Sequence, residues 1–455
     1  MRDLQQVYIV HCIDTEGPLY EPLEAKFSLL KENFGIDAIE HTHENLKKLQ
    51  KQEINLNGKE EDVTQYLSSH RVNYNDTWDK IDAMLERIMV PGFRNAYPDS
   101  FGGGWVFNWH CMDHVNYEYN PRRRDIGYHN IFDHYQEVLK KQKNYPDTIQ
   151  WHFHPMSTYQ DAHREATSYL TSPIIYEILC RKIIERKWFP TVYRAGFHVE
   201  RPDSNWFLEQ WIPFDISNLS TDVPKINIDQ DRKGAQGADW RLAPSDWSIY
   251  HPSHDHYQLS GDSRRWIARI LNIMNRNESI DQKEMDKAFA RAQTGEPTIV
   301  GLASHDFRDM EVEVEEVQGF IKESQKKYPE VKFKYCQAIE AFQKTIWPEG
   351  ITEDALELEI EYNPRTSDQV PYIEVKTKQG KVFGPQPFLA IQTRSRRYIH
   401  DNFDFSTSLD RWFYSFNSST LPIEDVAKIG VAANDKYGNI FVKVIDFIEN
   451  VDSEF

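Results

Sequence analysis

Two histidines close an apolar segment of the chain. From Thr148 to His154 the side chains alternate, which places His152 and His154 on one face of a predicted strand that Pro155 ends. Imidazoles two residues apart on one strand face are well placed to share a metal ion. A lone histidine is more often a buried structural residue, but two on the same side of a strand end favour a divalent metal site.

Two carboxylates follow the first predicted strand, VYIVHCID. Alternation places Asp14 and Glu16 on one face, just before Gly17. Sites of two histidines and one carboxylate leave positions open for water and substrate, as catalytic metal sites require. Asp14 or Glu16 would supply that carboxylate. The alternative is structural, with one of the two capping the next segment and the other solvated.

An arginine and a third histidine also follow apolar strands. Arg194 ends TVYR, and a buried arginine must be paired, so it either orients a carboxylate or forms a structural ion pair. His305 ends the strand PTIVGLASH and could serve as a general acid. The structural alternative there is a helix N-cap near Met310, which would use Asp306 or Asp309.

Two further features compete for a functional role. His110 and His114 have a spacing that could bind metal and form a rival pair to His152 and His154. Residues 240–266 concentrate Trp, His and Tyr, which suits sugar rings with their apolar faces and hydroxyl edges. The alternative for these aromatic side chains is that they cover the protein core.

The elements that carry these residues predict an α/β fold. Before residue 350 apolar strands alternate with helical segments such as SPIIYEILCRKIIERK, which is typical of a parallel sheet or barrel with its chemistry at the strand C-terminal ends. Helical material at about 30–100 is interpreted as an insertion after the first strand. Residues 351–455 contain short alternating runs with polar turns and predict a jelly-roll-like β-sandwich accessory domain.

Amino-acid composition disfavours some classes of partner and some cellular locations. The 71 acidic against 53 basic side chains give a net charge of -18, which disfavours nucleic acid because its backbone demands a basic surface. Cys12, Cys111, Cys180 and Cys336 form no C-x-x-C pair, so four reduced thiols are expected. The sequence shows no signal peptide and no membrane span, and we expect a cytoplasmic protein.

In their order along residues 5–345, the motifs CIDTEGP, WHFHP, YRAGFHVERPDSNWFLEQWIPFDIS and LASHD resemble the polysaccharide deacetylase family, also called the NodB-homology or carbohydrate esterase family 4 domain. The resemblance implies a deformed (β/α)7 barrel of the NodB type that holds a divalent metal. Zinc is the first expectation, with manganese, cobalt and nickel as alternatives.

The resemblance also implies roles for individual residues. Asp14 resembles the catalytic base, Arg194 the residue that orients it and His305 the acid that protonates the leaving group. Glu16, His152 and His154 resemble the metal ligands. Asp215, in PFDIS, matches a recurrent family aspartate at the end of the next strand and is expected in the catalytic group.

Two departures bear on this assignment. Thr15 separates Asp14 from Glu16, whereas the family motif has adjacent acidic residues, so either could bind the metal. The histidines form H-x-H, whereas the family usually spaces them four apart.

The function implied is that of a hydrolase acting on carbon–nitrogen bonds. It would be a metal-dependent deacetylase that removes an N-acetyl or O-acetyl group from a carbohydrate or polysaccharide intermediate. One alternative is a carbohydrate-binding pseudoenzyme with a degraded metal site. Another is a glycosidase on a related barrel that uses Asp14 and Glu16 as its carboxylate pair.

Overall fold

The strands before residue 340 form one sheet. The computed structural model describes residues 4–142, 144–155, 168–170, 172–222, 239–274 and 278–448. The strands of this sheet are β1 (Gln6–Thr15), β2 (Phe107–Cys111), β3 (Thr148–Phe153), β4 (Val192–Ala195), β5 (Phe214–Asn218), β6 (Trp266–Asn272), β7 (Thr298–His305) and β8 (Lys332–Tyr335). The hydrogen-bonded order is β2-β3-β4-β5-β6-β7-β1-β8, and β1 also pairs with β2. The ring from β1 to β7 is therefore closed, which confirms the predicted barrel of seven parallel strands.

The barrel strands are buried on both faces, as expected where helices cover a parallel sheet. In β1 every residue from Val7 to Thr15 is buried. The outer helices after the insertion are α7 (Asn130–Lys141), α8 (Ile174–Arg186), α9 (Pro202–Leu208), α10 (Gln282–Gln293), α11 (Met310–Lys327) and α12 (Ala338–Ile346). No helix in the described ranges is long and apolar enough to cross a bilayer.

The predicted insertion between β1 and β2 is helical. It contains α1 (Leu23–Phe34), α2 (His43–Gln50), α3 (Glu60–Tyr66), α4 (Ser69–Val72), α5 (Trp78–Ile88) and α6 (Pro91–Arg94). The first four helices share a small apolar core that includes Phe27, Leu49 and Val63. The insertion thus has packing of its own.

The C-terminal strands form two antiparallel sheets. They are β9 (Glu357–Asn363), β10 (Tyr372–Gln379), β11 (Phe388–Thr393), β12 (Tyr398–Asp401), β13 (Asp404–Phe405), β14 (Arg411–Ser415), β15 (Val426–Asn434) and β16 (Ile440–Asp446). The orders are β13-β14-β10-β9 and β12-β11-β15-β16, and alternate residues of both sheets share one apolar core, which confirms a sandwich. The jelly-roll expectation is wrong, because β9 and β16 lie in different sheets, whereas a jelly roll pairs its first and last strands.

Contacts within the chain divide it into two units. The first is Met1–Ile149 with Ile270–Gln337, and the second is Gln150–Arg269 with Ala338–Phe455. Helix α12 ends at Ile346 and β9 begins at Glu357, so the predicted boundary near 350 falls between these two elements. The four cysteines are buried free thiols, as predicted.

Candidate metal centre

The end of β1 carries the two predicted carboxylates of the first unit. Asp14 is buried and is flanked in the sheet by His110 on β2 and by His305 on β7. The His305 Nε2 lies 3.8 Å from Asp14 Oδ2, and His305 remains partly exposed. Asp14 and His305 are therefore neighbours, with one of the two reachable from solvent.

Glu16 is held by Arg124 and Asp306, neither of which was expected at this site from the sequence. Its carboxylate forms a buried ion pair with Arg124. The carboxylate of Asp306 accepts hydrogen bonds from the backbone N–H groups of Glu16 at 3.0 Å and Gly17 at 2.9 Å. Burial raises the pKa of Asp306 to about 7, although these two N–H groups oppose the rise. Asp306 thus fixes the turn that presents Glu16.

Neither residue could have been chosen from sequence. Arg124 is the last of three consecutive arginines, and no pattern distinguishes it from the other two. Asp306 was expected only as an alternative N-cap for the helix near Met310. The side chain of Asp309 provides that cap, by accepting from the Glu311 N–H.

The rival histidines His110 and His114 have other surroundings. His110 is a buried residue of β2, whereas His114 follows the strand and its Nε2 lies 3.1 Å from the backbone carbonyl of Glu16. Neither joins a cluster of three or more candidate metal ligands within the part of the chain that is described. His114 therefore supports the Glu16 turn.

The second unit contains the predicted histidine pair. His152 lies in β3 and His154 follows it, and their Nε2 atoms are 2.9 Å apart. His152 Nδ1 lies 3.0 Å from the carbonyl oxygen of Arg194, which can only accept a hydrogen bond. His152 therefore carries its proton on Nδ1, and the Nε2 lone pair points toward His154. This is how metal-binding histidines are usually oriented by their surroundings.

A glycine after β4 makes room for the second histidine. A Cβ at Gly196 would overlap the imidazole of His154. The next two residues, Phe197 and His198, adopt φ values of 52° and 56°, in the left-handed region that non-glycine residues rarely use. The chain therefore turns sharply where it passes His154, and the Phe197 ring packs on that histidine at 4.4 Å between centroids.

Arg194 is fully buried, as predicted for a residue that needs a partner. Its Nη2 lies 2.8 Å from His198 Nε2 and its Nη1 lies 3.0 Å from His198 Nδ1. A neutral imidazole has one acceptor nitrogen, so one of these contacts is a hydrogen bond. The role of Arg194 toward Asp14 stays a prediction.

The expectation that Asp215 lies at the end of a strand is wrong. It is the second residue of β5 and forms a buried ion pair with Arg265. Arg265 also binds Glu200 at 2.8 Å and Asn205 at 2.8 Å. Burial raises the pKa of Glu200 well above its ordinary value, against the opposing charge of Arg265. With Glu200 protonated, the network is electrically neutral, and we call it the closed network because its charges pair with one another.

One cluster among the described residues has the composition of a metal site. The ligand atoms of Glu16, His152 and His154 all lie within 4.8 Å of one another, and the three residues are buried. This is the set that the resemblance implied, with Glu16 as the carboxylate. The cluster can hold a metal ion, and its composition does not fix which one.

Most aromatic residues of the 240–266 segment are buried. Trp240, Trp247, Tyr250 and Tyr257 pack into the protein, in agreement with the structural alternative. His251 and Trp266 are only partly buried.

No protein-family model matches the chain, and no curated protein or solved structure matches it significantly.

Proposed function

We propose that this protein is a metal-dependent hydrolase that removes the acetyl group of an N-acetylated sugar or polysaccharide intermediate, with an O-acetyl group as the alternative target. The observation that carries the proposal is the buried cluster of Glu16, His152 and His154. We also propose that the barrel is of the NodB type, since the order of its motifs resembles that of polysaccharide deacetylases.

The three residues suit a divalent metal such as zinc, for which two histidines and one carboxylate are a common catalytic ligand set. Because His152 Nδ1 donates its proton to a backbone carbonyl, the Nε2 atom is unprotonated, and its lone pair can bind a metal. The ion pair with Arg124 favours the ionised form of Glu16. A bound metal would polarise the acetyl carbonyl and make a water molecule more acidic.

Asp14 and His305 supply the proton transfers in this proposal. A water oxygen adds to the acetyl carbon, and Asp14 accepts a proton from that water. The carbon–nitrogen bond then breaks, and His305 gives a proton to the nitrogen, so that acetate and a free amine are formed. The 3.8 Å between His305 Nε2 and Asp14 Oδ2 supports two groups acting at one reaction centre. Arg194 would position Asp14.

Metal content and acetate release test the proposal together. Purified protein should bind about one zinc per chain, and chelation should abolish acetate release from N-acetylated chito-oligosaccharides until metal is restored. His152→Ala should lose the metal. The exposed His254→Gln provides a matched control that should keep both metal and activity.

The base is tested separately. Asp14→Asn should retain the metal but lower acetate release by about 10²-fold or more, because general-base catalysis contributes about that much. The exposed Asp255→Asn is its control. Absence of stoichiometric metal, or full activity in Asp14→Asn, would refute the mechanism. Sugar binding without acetate release would instead support a pseudoenzyme, and metal-independent release of sugar a glycosidase.

A further inference from the structure

The second unit contains a cavity of about 370 Å³ that the proposed reaction does not use. It lies among Trp266 at the start of β6, Trp347 just after α12, and the sandwich residues Phe383 and Tyr437. Parallel strands run in one direction, so the start of β6 is at the opposite end of the sheet from the end of β3, where His152 lies. The cavity is therefore a separate site.

The sandwich wall of this cavity is firmly built. Glu353 accepts hydrogen bonds from the Tyr437 hydroxyl at 2.6 Å and from Lys436 at 2.8 Å. Asn434 at the end of β15 accepts from the Thr191 hydroxyl and donates to the carbonyl oxygens of Pro190 and Trp211. Tyr437 on the lining is thus held by a hydrogen bond, and the neighbouring strand end is anchored by the buried contacts of Asn434.

Several polar groups on the lining are available to a ligand. His251 Nδ1 donates to the Arg265 carbonyl at 3.0 Å, which leaves Nε2 as an acceptor. Within the described ranges, the indole N–H groups of Trp266 and Trp347 and the charged groups of Asp354 and Lys381 have no hydrogen-bond or ion-pair partner. The cavity therefore offers donors and acceptors beside aromatic rings.

The charges on the lining balance. The lining contains three cationic residues, Arg264, Lys381 and Lys436, and three anionic ones, Glu353, Asp354 and Asp435. A nucleotide, a phosphorylated sugar or another strongly charged ligand would need an excess of one sign, and the lining has none.

We propose that this cavity binds a neutral saccharide unit. A sugar ring presents apolar faces that pack on Trp266, Trp347 and Tyr437, and hydroxyl groups that pair with mixed donors and acceptors. The volume falls in the usual range of about 300–1,000 Å³ for small-molecule sites. This inference does not rest on the proposed deacetylation.

Ligand-observed NMR and tryptophan fluorescence on the full chain test it with three neutral disaccharides, N,N′-diacetylchitobiose, cellobiose and maltose. We expect saturable binding of at least one. Trp347→Ala and Asp354→Ala should each weaken that binding about tenfold, since each removes a contact to the sugar. Asp354 is exposed, so its variant should fold normally.

Matched controls separate this site from the metal cluster. Trp206→Ala removes an exposed tryptophan outside the cavity and should bind the sugar normally. His152→Ala should still bind cellobiose and maltose, which carry no acetyl group, whatever it does to metal or acetate release. The inference is overturned by no saturable binding of any of the three sugars, by full binding in both cavity variants, or by preferential binding of glucose 6-phosphate.

Discussion

Two groups of buried charged side chains differ in how their polar atoms are used. In the network of Glu200, Asp215 and Arg265, the guanidinium bonds to both acids and to an asparagine. In the cluster of Glu16, His152 and His154, two imidazole nitrogens face each other at 2.9 Å. In the first group the acids pair with a cation of the protein itself, whereas the second group brings together several atoms that could all donate lone pairs to one bound cation.

Burial and residue type alone do not distinguish the candidate metal site from the closed network. Asp215 and Glu16 are both buried acids paired with an arginine. Only Glu16 lies beside ligands of the kind that divalent metals use. Convergence of lone pairs is therefore the better criterion, and it predicts that changes in the two groups have different consequences.

A change in the network of Glu200, Asp215 and Arg265 should lower the free energy of unfolding. Arg265→Met leaves Asp215 buried without its cation, and we expect the free energy of unfolding to fall by about 3–5 kcal/mol, as when one partner of a buried ion pair is removed. Urea denaturation measures the loss. Arg264→Gln, at the exposed neighbour that pairs with Glu209, should cost no more than about 1 kcal/mol. Equal losses in the two variants would contradict the distinction.

In the cluster of Glu16, His152 and His154, a change of local geometry should lower metal affinity. Gly196→Ala adds a methyl group where the His154 ring lies, and we expect metal affinity to fall about 10–100-fold, as it does when residues that support metal ligands are changed. Competition with a chromogenic chelator measures the affinity. Gly319→Ala, in α11 where an added Cβ meets nothing within 4 Å, should leave it unchanged. Unaltered affinity in Gly196→Ala would remove His154 from the ligand set.

The sequence was sufficient wherever a period of two or an apolar run determined which way a side chain faces. Alternation in Thr148–Phe153 and the apolar run before Asp14 predicted the histidine pair and the buried acids. Strands β1 to β4, strand β7 and the sandwich followed from the same patterns, whereas β5 was expected only from the resemblance. Strand β6 was missed, because its first residue, Trp266, was counted with the aromatic segment 240–266.

What could not be predicted depends on contacts between distant residues. Arg124 pairs with Glu16 across 108 positions, and Asp306 binds the same turn across 290. Asp215 was assigned to the catalytic group by resemblance, and nothing in the local sequence revealed that Arg265 would pair with it 50 residues later. Such partners are set by the closing of the sheet, which local patterns do not encode.

A second closed group includes His11 on β1, and its expected effect depends on pH. The Trp105 indole N–H donates to His11 Nδ1 at 3.0 Å, so His11 carries its proton on Nε2, 2.6 Å from the Ser304 hydroxyl. Burial lowers the pKa of His11 from 6.5 to about 3. Between those values the unfolded chain binds a proton at this position and the folded chain does not. The stability that His11 contributes is therefore present above pH 6.5 and is lost as the pH falls toward 3.

His11→Gln should remove the pH-dependent contribution of His11 to stability. Between about pH 6 and pH 4, the free energy of unfolding of the native protein should fall more steeply than that of the variant, by up to about 1.4 kcal/mol per pH unit. Urea titrations at several pH values compare the two slopes. His254→Gln, at an exposed histidine, should keep the native slope. Parallel curves for His11→Gln and the native protein would mean that His11 is protonated when folded. The group of His11, Trp105 and Ser304 would then carry an unpaired charge. It would no longer count with the Arg265 network as a group whose charges are paired within the protein.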